Sequence, residues 1–143
     1  MGKAYMVPFG ALKLIEFFCT MVAWTTVVDQ YNADNYVFEE GNRVRPSFHI
    51  TICIVAWILS ILVFILNVAV PNIAAKIDKV SYAVSHFIVG CLVLIAASLI
   101  ADTFSSHSGY HTFKAGGAFG IISAIVIIAD SFLYLVKGVP KDD

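Results

Sequence analysis

ITICIVAWILSILVFILNVAV, Ile50–Val70, runs for twenty-one residues without a formal charge, and its strongest polar group, Asn67, stands near its end. A helix needs about 20 mostly apolar residues to cross the hydrocarbon core of a bilayer. Three further runs meet the same requirement: Val7–Val28, broken only by Lys13 and Glu16; Val80–Ala101, which holds His86; and Ala115–Val136, which holds Asp130. None shows the period-2 alternation of a membrane β-barrel strand, and within lipid only a helix satisfies every backbone group inside its own segment. The reading is all-α: a single domain over residues 1–143, built as a four-transmembrane-helix bundle. Pro8, Pro46, Pro71 and Pro140 fall at or outside the ends of the runs, where a missing N–H costs little.

Composition agrees. Apolar residues make up 59% of the chain and charged ones 13%, against about 25% charged in ordinary soluble domains. A chain of this size cannot hide so much apolar surface in one water-bounded core, so the excess must face lipid. The net charge of −1, with no basic run, gives no reason to expect a nucleic-acid partner. Cys19, Cys53 and Cys91 are odd in number and lie within apolar stretches, so they read as small packing residues rather than a disulfide framework. Lys13 and Glu16 also interrupt the first run too early for a cleaved signal peptide.

Loop lysines and arginines set the expected orientation. Lys3, Lys76, Lys79, Lys137 and Lys141 fall on one side, and Arg43, Arg45 and Lys114 on the other. The richer side is expected to be cytoplasmic, with both termini there. Outer loops are then expected over Asp29–His49 and Asp102–Lys114. Tyr5, Phe9, Tyr31, Phe48, Tyr82, Phe113 and Tyr134 sit near the ends of the runs, where amphipathic rings settle at a membrane interface.

Ionisable residues within a span are expensive, so their positions carry information. Counted at 1.5 Å per residue, Lys13, Glu16, Asn67, His86 and Asp130 fall in one leaflet at a shared depth. They are expected to meet as an interhelical cluster. In it Lys13 neutralises Glu16 or Asp130, His86 offsets the other carboxylate when protonated, and Asn67 completes the hydrogen bonds. The plainest role is polar glue that fixes which helix packs on which. Two sharper roles are a lipid-headgroup site, with Lys13 snorkelling to a phosphate, and an ion path, for which the outer leaflet offers few polar residues. Along the last span Gly116, Gly120 and Ala124 recur every four residues with Ser123 beside them. Such a small-residue face lets helices approach closely, within one molecule or as a dimer seam.

No catalytic constellation, phosphate-cradling loop or cysteine metal motif appears, so neither an enzyme nor a cofactor is expected. His107 and His111 are four apart, but the Ser- and Gly-rich surroundings favour a solvated loop over a metal site.

The stretches GALKLIEFFCTMVAWTTVV, Gly10–Val28, and AGGAFGIISAIVIIADSFLY, Ala115–Tyr134, carry a family resemblance. Glu16 early and Trp24 later in the first, with Phe119–Gly120 preceding Asp130 in the second, make the chain similar to the MARVEL-domain proteins. These are the four-span family of the myelin-and-lymphocyte protein, plasmolipin and the chemokine-like-factor proteins. The resemblance implies a non-enzymatic role in organising membrane domains, vesicle trafficking or cell junctions, in a plasma or vesicle membrane. Membrane lipids, a second copy of the chain or other integral membrane proteins are the expected partners. An accessory subunit of a larger membrane complex and a small channel or transporter subunit are the alternatives.

Overall fold

The computed structural model describes residues 9–33, 44–74, 76–104 and 111–137. Four long helices make up almost all of this: α1 (Ala11–Ala33), α2 (Val44–Ala69), α4 (Lys79–Phe104) and α5 (His111–Lys137), with a single turn, α3 (Pro71–Ala74), between α2 and α4. Each long helix is long and apolar enough to cross a membrane. The helices pack in a ring in which α1 touches α2, α2 touches α4, α4 touches α5 and α5 returns to α1. The pairing of α4 with α5 is the most extensive. Chain neighbours are therefore spatial neighbours, and α1 begins at the end of the bundle where α5 finishes; we call this the terminal half.

The helices outrun the apolar stretches that announce them. Asp29–Ala33 continue α1, Val44–His49 open α2, Asp102–Phe104 extend α4, and His111–Lys114 open α5, although all of these were expected in loops. Hydropathy marks the thickness of the hydrocarbon core, whereas a helix continues until a cap or a turn stops it. Pro46 consequently sits inside the first turn of α2, where its missing N–H removes no intrahelical bond. The start of α4 has an identifiable cap. Asp78 Oδ2 accepts from the Ser81 amide at 2.9 Å and from the Ser81 hydroxyl at 3.0 Å, the bonds of an acidic N-cap to the third helical residue.

Polarity is reversed relative to a soluble bundle. Lys13, Glu16, Thr20, His49, Ser60, Asn67 and Asp130 are all at most 2% exposed, while Phe18, Ile58, Leu62, Ile88, Ile125 and Phe132 point outward. Such an arrangement is favourable only where the surrounding medium is apolar. Hydroxyls inside the spans satisfy themselves on their own helix: Thr20, Thr26, Ser60 and Ser123 each donate to the carbonyl four residues earlier. The length of the helices and their apolar exterior together make the chain a multi-pass integral membrane protein.

Candidate functional site

Among the described residues, the buried charged side chains lie in the terminal half. Lys13 and Glu16, three apart on α1, share a face, and Lys13 Nζ lies 2.9 Å from Glu16 Oε2. The same ammonium reaches across to α5 and lies 2.8 Å from Asp130 Oδ2. From α2, the Ser60 hydroxyl stands 3.0 Å from Glu16 Oε2 and 2.9 Å from the Ala56 carbonyl; its single proton serves one of them at a time. From α4, the Tyr82 hydroxyl donates to Asp130 Oδ2 at 2.9 Å. One connected run of polar contacts thus passes through all four helices, in the order α2, α1, α5, α4.

Aromatic rings enclose it. Tyr82 is stacked between His86 and Tyr134, with centroids 3.8 Å away on each side, and Phe9 meets Tyr134 edge-on at 5.8 Å. Lys13 Nζ lies 5.4 Å from the centre of the Tyr82 ring, within cation–π range. His86 Nδ1 is 3.0 Å from the Tyr82 carbonyl. A carbonyl only accepts, so Nδ1 carries the proton and donates it.

Of the five residues expected to meet, three do so directly: Lys13, Glu16 and Asp130. His86 joins through Tyr82, on which its ring stacks, rather than by bonding a carboxylate, contrary to expectation: Nδ1 donates to its own helix and Nε2 has no hydrogen-bond partner among the described residues. Asn67 is buried, but its amide donates to Val63 O on its own helix at 2.8 Å. It shares a face with Ser60, seven residues back, yet lies about 10 Å further along the axis. Lys13 also does not snorkel: it is 1% exposed, with its ammonium turned inward. Lys13, Ser60, Leu14, Phe17, Ile61 and Phe64 line a lipid-side groove of about 260 Å³ between α1 and α2, and with Nζ committed inside the bundle Lys13 contributes its aliphatic stem.

Phe9, Tyr82 and Tyr134, expected at the membrane interface, are instead buried. Ser60 and these two tyrosines are the site residues that sequence reasoning missed. One available signal was the four-residue spacing of Tyr82 from His86 and of Asp130 from Tyr134, which puts each pair on one helix face.

The opposite half is built differently. A Cβ placed on Gly116 would stand 2.5 Å from Val27 Cγ2 of α1, and one on Gly120 would stand 2.7 Å from Ala97 Cβ of α4 and 3.0 Å from His49 Cε1 of α2. Ser123 and Ala124 are fully buried beside them. The small-residue face of α5 is thus occupied within the molecule, by α1 on one side and α4 on the other. His49, expected in an outer loop, lies fully buried, and its Nε2 is 3.2 Å from Ala23 O of α1. All three cysteines are free thiols, with Cys53 buried. His107 and the side chain of His111 lie outside the described residues.

No family model, curated protein or solved structure matches the chain.

Proposed function

We propose that this chain is a non-enzymatic membrane-organising protein of MARVEL type, acting by lateral association of its helices in membrane domains, vesicle traffic or cell junctions. The observation that carries the reading is the division of polarity. The charged residues of the spans are engaged with one another inside, and the belt offered to neighbours in the bilayer is branched aliphatic and aromatic. In lipid such a belt associates through packing rather than through any hydrophobic force. The lysine bias of the loops supports a cytoplasmic position for both termini.

Chemical crosslinking in native membrane, followed by sizing in mild detergent, tests this. Self-association or a mixed population of membrane neighbours is the expected result, and a monodisperse monomer without neighbours would refute it. A single stoichiometric partner would instead identify an accessory subunit. The buried ionisable run favours a second reading, a small channel or transporter subunit. That reading requires ion flux in proteoliposomes which Glu16→Gln or Asp130→Asn abolishes; no flux under several gradients removes it.

A further inference from the structure

Glu16 and Asp130 stand in matched positions around Lys13. Each gives one oxygen to the ammonium, Oε2 at 2.9 Å and Oδ2 at 2.8 Å, and each of those oxygens also faces a hydroxyl, Ser60 on one side and Tyr82 on the other. The second oxygens, Glu16 Oε1 and Asp130 Oδ1, are buried without a hydrogen-bond partner among the described residues, as are His86 Nε2 and Tyr134 OH. Both carboxyl residues are completely buried.

The groups facing the pair come from every helix: Lys13 from α1, Ser60 from α2, Tyr82 and His86 from α4, and Tyr134 from α5. Lys13 is the only one of these that is cationic as a matter of course. Two carboxylates against one ammonium leave a negative charge uncompensated where water cannot reach it, and an isolated buried charge is neutralised rather than tolerated. When two carboxyls share one site, like-charge repulsion keeps a proton on one of them. A metal cation would require several oxygen ligands in a shell. A proton needs a single lone pair, and the two unpartnered oxygens each supply one.

We infer that the Glu16–Asp130 pair is an intramembrane binding site for one proton. It is held as a carboxylic acid on Oε1 or Oδ1, while the other carboxyl remains the anionic partner of Lys13. The site is then electrically neutral and compatible with lipid around it.

Infrared spectroscopy of the full chain in liposomes at neutral pH tests this. The wild type should show one protonated-carboxyl stretch per chain, displaced on transfer to heavy water. Glu16→Gln and Asp130→Asn should each remove it, because one carboxylate then balances one ammonium, and His86→Gln should leave it in place. Absence of the band from the wild type would overturn the proposal, as would a band surviving both carboxyl variants. The wild-type spectrum alone decides the first point, so a variant that fails to fold does not remove the test.

Discussion

The two halves of the bundle solve one problem by different means. In the terminal half the helices pack through the large rings of Phe9, Tyr82 and Tyr134 and are joined through Lys13, Glu16, Asp130, Ser60 and Tyr82. In the other half Gly116 and Gly120 bring α5 against α1 and α4, and the core is mostly small, Ala23, Cys53, Ala56, Val93 and Ala124 with Ile127, with His49 supplying an interhelical hydrogen bond to Ala23. Lipid tails are as apolar as leucine, so no hydrophobic force draws these helices together. Close backbone approach and interhelical hydrogen bonds take its place. One half relies mainly on the first and the other on the second. The charged half fixes the partners of each helix because its contacts are few and specific; the small-residue half contributes dispersion from many close contacts.

Breaking the charged half should have the largest effect. Lys13→Met leaves two buried carboxyls without their cation, and unfolding in bicelles should show a loss of about 3–5 kcal/mol. Adding Asp130→Leu should recover part of that loss, since the two residues share one interaction and their effects do not add. Overfilling the other half comes next. Gly120→Val drives a side chain into Ala97 and His49, and the same assay should record about 1–3 kcal/mol. If Gly120→Val matched wild type while Lys13→Met did not, the small-residue half would be a consequence of the fold rather than a support for it.

Finer changes sharpen the contrast. Tyr82→Phe removes one donor from Asp130 and should cost about 1 kcal/mol, the scale of interhelical hydrogen bonds in membranes. Ser60→Ala should cost less, because that hydroxyl has the Ala56 carbonyl as an alternative acceptor. The smallest effect lies outside the bilayer. Two bonds from Ser81 hold the Asp78 carboxyl below its ordinary value. A depressed folded-state value means that the cap's contribution is present above the unfolded value, near 3.9, and is lost as the pH falls through the folded one. Amide protection at the first turn of α4, measured relative to the unstructured rate at each pH, should fall on such acidification, and Asp78→Ala should already show the lower protection at neutral pH.

Much of this was legible in the sequence, for physical reasons. Hydrocarbon thickness fixes span length, so four apolar runs gave four helices, and depth counting put Lys13, Glu16 and Asp130 in one layer. Azimuth was harder to read. Asn67 shares that leaflet yet bonds its own helix. Tyr82 and Tyr134 stand near helix ends, where an amphipathic ring suits an interface as well as an interior, so position alone could not show that they turn inward. His49 was hidden by the assumption that a helix ends where its apolar run ends. The stripe Gly116, Gly120, Ala124 announced close packing, but not that α1 and α4 would divide it between them.

Lys13 joins α1 to α5 inside the bundle instead of reaching for the membrane surface. Solid-state NMR in bilayers, with ¹⁵N at Lys13 Nζ and ¹³C at Asp130 Cγ, measures that contact directly. An Nζ to Oδ2 separation of 2.8 Å requires strong dipolar coupling between the two labels. A lysine nitrogen that couples to lipid phosphorus, and not to Asp130, would contradict the account.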